Sequence, residues 1–222
     1  MASGILLVDK PAGKTSFYLV SQLRRLTGIK KIGHAGTLDP LATGVMVMLI
    51  GRDYTRKSDQ MIRHDKEYET NIFLSAATSS YDAEGEITDR SDYIPSLDEI
   101  NSALLHFQGT QKQVPPMFSA KKVCGKKLCD LARRGIEIER EPAEVTMRIT
   151  LLEYHYPHLR LKVECSKGTY IRSLAHDLGL KLGTFGHIIA LTRTRSGPYH
   201  LNGCHRLENL NPENINQYLI SE

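Results

Sequence analysis

Gly33-His34-Ala35-Gly36-Thr37-Leu38-Asp39-Pro40-Leu41-Ala42-Thr43-Gly44 is the densest punctuation in the chain. Three glycines, one proline, one histidine and one aspartate share twelve positions between apolar segments. The proline directs Asp39 away from helical backbone angles. The segment thus reads as a stiff loop presenting a single carboxylate. On spacing alone the plainer account is an Asx turn closing a loop; a held catalytic carboxylate is the sharper one.

Working outward, Ile5-Leu6-Leu7-Val8 reads as a buried strand. Ser16 is expected to cap a helix to about Leu26, with Phe17, Val20, Leu23 and Leu26 apolar and Gly28 as the stop. Gly44 to Ile50 reads as a core strand. Lys66 to Leu74 alternates, placing Tyr68, Thr70 and Ile72 on one face. The acidic, turn-rich segment 80–99 is expected to face solvent. Ser96-Leu97-Asp98-Glu99 is a capping box opening a helix to about Phe107. A short basic helix is expected from Lys126 to Arg134, strands over Val145–Tyr154 and Leu159–Cys165, and a helix from Thr169 to Leu182. Ile188–Thr194 reads as a strand and Pro212–Leu219 as a last short helix. Strands and helices interleave, but the late strands are sequence neighbours. The pattern predicts an α+β fold with a mixed sheet and flanking helices.

The 222 residues carry a net charge of +4, with hydrophobic residues at 41% and charged residues at 24%, a globular composition. No apolar run reaches the length of a membrane span. The start, Met1-Ala2-Ser3-Gly4, lacks a signal-peptide layout, so a cytoplasmic location is expected. Cys124, Cys129, Cys165 and Cys204 show no paired CxxC spacing and read as idle or buried thiols, with no metal site. The small net charge conceals blocks: residues 1–35, 112–140 and 156–204 each sum to +5, whereas 80–111 sums to −6. Gathered on one face, the basic blocks would make a phosphate footprint; separated, they are ordinary solvated surfaces.

Two further segments carry chemistry. Tyr68 is either an ordinary strand aromatic or a ring that stacks on a flat ligand such as a base. Ser166-Lys167-Gly168-Thr169-Tyr170-Ile171-Arg172 joins a strand to a helix. Arg172 would sit in the first helical turn, where the dipole disfavours a cation, so a carboxylate partner is expected, with Asp39 a candidate. There is no P-loop, no GxGxxG, no deaminase zinc motif and no GxSxG elbow. His155 and His158 flank Tyr156-Pro157 and read as turn residues.

In their order, these segments resemble the TruB family of bacterial tRNA pseudouridine synthases. The markers are Gly4-Ile5-Leu6-Leu7-Val8-Asp9-Lys10-Pro11, the 33–44 loop, Lys66-Glu67-Tyr68, Gln113-Val114-Pro115-Pro116-Met117-Phe118-Ser119-Ala120, and Cys165 to Gly179. The resemblance implies the pseudouridine synthase fold, a mixed and largely antiparallel central sheet flanked by helices. It also implies isomerisation of the flipped-out T-loop uridine at position 55, without cofactor or metal. Asp39 matches the family's catalytic aspartate, as nucleophile or base. Tyr68 matches the tyrosine that stacks on the base and accepts a proton, and Arg172 the arginine paired with the aspartate. Tyr170 and Leu191 match pocket residues, and His34 the histidine that holds the extruded nucleotide. Segment 113–140 matches a thumb-like insertion, whose Lys121, Lys122, Lys126, Lys127, Arg133 and Arg134 are the expected phosphate contacts. The partition expected is a catalytic domain over 1–200 and a short tail over 201–222, without the small C-terminal RNA-binding (PUA-type) domain common in bacterial members. The partner expected is the tRNA T-arm, with no protein partner, no membrane and a monomeric chain. The alternatives are a guide-RNA-dependent relative and a non-catalytic tRNA-binding or folding factor.

Overall fold

The computed structural model describes residues 3–123 and 125–221. Cys124 and the extreme N-terminus therefore lie outside the described residues, as does the side chain of Lys127. The chain forms two compact units. The first runs to Glu69 and resumes at Leu191; the second spans Thr70–Ala190.

The first unit holds β1 (Gly4–Lys10), α1 (Ser16–Thr27), β2 (Ile32–His34), β3 (Thr43–Ile50), α2 (Arg52–Thr55), α3 (Ser58–Ile62) and the start of β4 (Lys66–Leu74). β1 and β3 are almost wholly buried, as their unbroken apolar runs require. They pair antiparallel from Gly4 opposite Ile50 to Lys10 opposite Gly44. Their side chains Ile5, Leu7, Val45, Val47 and Leu49 pack with Tyr54 of α2 and Met61 of α3 into one core.

The second unit adds β5 (Ala76–Thr78), β6 (Ile87–Arg90), α4 (Leu97–His106), β7 (Gly109–Gln113), β8 (Lys122–Val123), β9 (Lys126–Lys127), α5 (Leu128–Ala132), β10 (Ala143–His155), β11 (His158–Cys165) and α6 (Ile171–Leu182). β12 (Gly186–Ser196) then leads back to the first unit, which ends with β13 (Tyr199–His200), β14 (His205–Arg206) and short 3-10 turns. The unit boundaries fall inside β4 and β12, so each strand belongs partly to both. In the first unit the strand order is β14-β1-β3-β12-β4, with β2 also on β3 and β13 on β12. In the second it is β12-β4-β11-β10-β7. The pairs β1·β14 and β3·β12 are parallel, and β1·β3, β2·β3, β10·β11, β7·β10 and β12·β13 antiparallel. The result is the expected α+β architecture with a mixed, mostly antiparallel sheet. Among the described residues no helix is long and apolar enough to cross a membrane.

β4 has the expected bounds, with Lys66, Tyr68, Thr70, Ile72 and Leu74 buried on one face. The capping box at Ser96 is present, with Glu99 returning to the Ser96 backbone. Four local expectations are corrected. The cap of α1 is Thr15, whose hydroxyl accepts from the Tyr18 amide at 3.1 Å; Ser16 is inside the helix and bonds elsewhere. Phe17 is 64% exposed, because the buried stripe of α1 runs through Leu19, Val20 and Leu23. The basic segment 126–134 is a strand followed by a five-residue helix, since the left-handed turn at Gly125 folds β8 back on β9. Segment 212–219 forms only a 3-10 turn at Ile215–Tyr218. The insertion 113–140 carries a small core of its own, Met117, Leu128 and Leu131 with Val123, Ala132 and Ile138 against them.

Candidate active site

The 33–44 loop is held from three directions. At its tip, the Ser16 hydroxyl donates to the Leu38 carbonyl and accepts from the Leu38 amide, both at 2.9 Å. On the other side of Asp39, the Pro40 carbonyl accepts from the Gly13 amide at 2.9 Å and from Lys10 Nζ at 3.1 Å. Lys10 is fully buried and also donates to the Pro11 carbonyl at 2.9 Å. The Asp39 carbonyl closes a turn by accepting from the Ala42 amide at 3.1 Å. Both backbone neighbours of Asp39 are thus fixed, so its position is set by the fold.

The root of the loop meets β12. Gly44 has φ of 98° and pairs with Arg193; a side chain there would come within 2.3 Å of the Arg193 carbonyl oxygen. Only glycine meets both requirements. The Arg193 side chain, 1% exposed, donates from Nε to the Val45 carbonyl at 2.7 Å. Its Nη2 reaches the Gly36 carbonyl and Met46 Sδ, each at 3.2 Å. His34 ends β2 half-buried, with its Nδ1 unpartnered. Burial, and secondarily the Arg193 charge, hold the His34 pKa below its ordinary value. Tyr68 on β4 and Leu191 on β12 are both buried in this unit. Thr194 donates to Glu67 at 2.7 Å, fastening the two strands beside each other.

The second unit carries the arginine. Tyr170 caps α6, and the buried Gln113 amide clamps it, accepting from the Tyr170 amide at 2.8 Å and donating to its carbonyl at 3.0 Å. Arg172 follows in the first turn, as expected, with its side chain 5% exposed. Its Nη1 lies 3.5 Å from Asp82 Oδ2 and donates to the Ser80 carbonyl at 3.0 Å; Nη2 donates to the Phe118 carbonyl at 2.6 Å. Asp82 is in turn held by the Ser80 hydroxyl at 2.5 Å and the Glu84 amide at 3.0 Å. Asp82 thus supplies a buried carboxylate beside Arg172, where the helix dipole disfavours a cation. This also corrects the reading of 80–99 as solvent-facing, because Ser80 and Asp82 are buried. The same segment places Tyr81 in a stack on His176, with ring centroids 3.9 Å apart and planes at 11°. A cavity of about 210 Å³ beside it is lined by Tyr81, Met117, Phe118, Ile136 and Arg140 among others.

The structure thus gathers His34, Asp39, Tyr68 and Leu191 in the first unit and Tyr170 and Arg172 in the second. In the insertion, Lys122, Lys126, Arg133 and Arg134 are exposed and Lys121 half-exposed. Arg133 also meets Asp130 at 3.4 Å on the surface. The residues missed in sequence are Lys10, Ser16, Asp82, Gln113 and Arg193. Lys10 and Gln113 stand inside quoted markers, and Asp82 opens an Asp-Ala-Glu-Gly turn, but their partners lie far along the chain.

Comparison with known proteins agrees with this geometry. The model for the TruB family pseudouridylate synthase N-terminal domain matches residues 24–171. The model for the tRNA pseudouridylate synthase B C-terminal domain matches residues 172–219. The tRNA pseudouridine synthase B of Protochlamydia amoebophila is 59% identical over 201 residues, covering 90% of this chain and 77% of that protein. That of Chlamydia trachomatis serovar L2 is 56% identical over 201 residues, covering 90% and 83%. Among solved structures, a Cbf5-Nop10-Gar1 complex matches with a TM-score of 0.73 and 28% identity, over 93% of this chain and about half, 53%, of the matched chain. The clamped aspartate loop, the sheet and these matches agree: the chain belongs to the TruB family of tRNA pseudouridine synthases.

Proposed function

We propose that Asp39 is the catalytic carboxylate of this chain, acting on a uridine flipped out of the tRNA T-arm. The activity follows from family membership: the chain is an isomerase, a tRNA pseudouridine synthase acting at uridine 55. The reaction breaks the N1–C1′ bond, turns the uracil and joins C5 to C1′, with one proton leaving C5 and one arriving at N1. No atoms or electrons are exchanged with a second reactant. A carboxylate serves this chemistry as a nucleophile at C1′ or C6, or as a base at C2′. All three routes need it ionised and immobile.

The observation that supports Asp39 in this role is the clamping of Leu38 and Pro40 on either side of it. Such restraint holds a reacting group in one geometry before substrate arrives. Tyr68 is assigned the stack on the uracil and the acceptance of the C5 proton, directly or through water. Leu191 and Tyr170 are assigned the pocket walls, and His34, kept neutral by its surroundings, the holding of the extruded nucleotide. Arg172 is assigned the pairing that keeps Asp39 ionised in the substrate complex. Extruding the base costs a few kcal/mol. Phosphate contacts from Lys121, Lys122, Lys126, Lys127, Arg133 and Arg134 offset that cost.

Incubation with unmodified tRNA and with an isolated T-arm hairpin, followed by site-resolved pseudouridine mapping, tests this reading. Modification of the T-loop uridine in both RNAs is expected. Modification of intact tRNA but not of the hairpin would refute the T-arm as the sufficient substrate.

A further inference from the structure

We propose that Arg193 is a positioning residue for the reaction, stapling the root of the Asp39 loop to the strand that carries Leu191. The proposal rests on the roles just given to Asp39 and Leu191. The guanidinium reaches both ends of the connection: the Gly36 carbonyl before Asp39, and the Val45 carbonyl and Met46 sulfur after it. Its own backbone pairs with Gly44 in the parallel ladder, where the absence of a side chain permits the approach. One residue earlier, Thr192 and Thr43 share a hydroxyl hydrogen bond at 2.8 Å, and Thr43 Oγ1 donates to the Leu191 carbonyl at 3.4 Å.

Two facts separate this from ordinary packing. Arg193 heads the largest fully buried side chains, and its hydrogen bonds go to neutral acceptors. A charged side chain in that setting is costly, and an apolar residue of similar volume would fill the space more cheaply. What an apolar residue cannot do is hold two carbonyls nine residues apart in one planar fork. The fork fixes the distance between the carboxylate loop and the apolar wall for the base, while the Ser16 and Lys10 contacts fix only the tip.

The test compares Arg193→Met, which keeps volume and loses the fork, with Arg193→Lys, which keeps charge and loses the planar pair of donors. Single-turnover release of tritium from [5-³H]uridine-labelled tRNA reads chemistry, RNA affinity reads binding, and circular dichroism reads folding. Leu49→Ala, a cavity in β3, the buried strand that Arg193 grips, serves as the destabilised control. The expected result is a fall in the chemical rate of about 100-fold for Met and about 10-fold for Lys, with RNA affinity unchanged. Leu49→Ala should lose thermal stability and keep its rate. Should the Met variant not fold, the Lys variant decides alone. A wild-type rate in a folded Arg193 variant overturns the proposal. If Asp39→Asn proves active, the underlying reading of the site fails instead, so the two failures are distinguishable.

Discussion

Asp82→Asn removes the charge from one member of a pair that is buried on both sides. The side chains of Arg172 and Asp82 are 5% and 4% exposed, with nitrogen and oxygen 3.5 Å apart. Removing one partner of such a pair leaves a buried charge uncompensated, at a cost of about 3–5 kcal/mol. Here the carbonyls of Ser80 and Phe118 continue to solvate the guanidinium, and an amide still accepts from Ser80. The lower end, about 3 kcal/mol, is therefore the expected loss. For a chain of this size it corresponds to a melting temperature lower by about 6–12 °C. Tritium release should slow as well, because the Asp82 contact that helps fix the Arg172 side chain is weakened. The double variant Asp82→Asn/Arg172→Met should be more stable than Asp82→Asn alone, since the buried cation that lost the Asp82 charge is gone. Thermal unfolding of wild type, Asp82→Asn, Arg172→Met and the double variant is the assay. A melting temperature for Asp82→Asn within about 1 °C of wild type would refute the assignment of this pair as the anchor of Arg172.

Two further predictions concern α6 and the insertion. Burial raises the pKa of the Asp177 carboxyl to about 6, so the native state holds that proton more tightly than the unfolded chain does. The resulting penalty is absent below the unfolded value of about 4 and full above about 6. Asp177→Asn should therefore be more stable than wild type by about 1–2 kcal/mol at pH 8 and equal to it near pH 4, and urea unfolding at the two pH values checks this. Replacing Lys121, Lys122, Lys126, Arg133 and Arg134 with glutamine should weaken tRNA binding and flatten its dependence on salt by about 0.7–0.9 per lost phosphate contact, as read by binding titrations across salt concentration. An unchanged slope would remove the insertion from the phosphate footprint.

What sequence makes legible here is whatever depends on near neighbours. β4 and the Ser96 capping box are visible because alternation and an i, i+3 pair are local patterns. The α1 cap is misplaced by one residue for the opposite reason. Ser16 has the chemistry of a cap, but its hydroxyl is committed to Leu38, 22 positions away. Asp82 likewise looks like a surface carboxylate until Arg172, 90 residues on, closes over it. Arg193 carries no local signal, because an arginine in an alternating Thr-Arg-Thr-Arg strand reads as solvent-facing, and only the parallel approach of β3 buries it. The aspartate loop itself was legible as a stiff loop. The catalytic role proposed for it rests on the order of five markers, and the clamps around it are visible only in the fold.

On the proposed reading, the chemistry depends on the Asp39 carboxylate while RNA binding does not. Asp39→Asn keeps the size and backbone contacts of the loop and removes the charge. Its single-turnover tritium release from labelled tRNA, measured beside its tRNA affinity, is the most direct test. No detectable pseudouridine is expected, together with affinity within about threefold of wild type. Turnover by the Asn variant within about tenfold of wild type would contradict it.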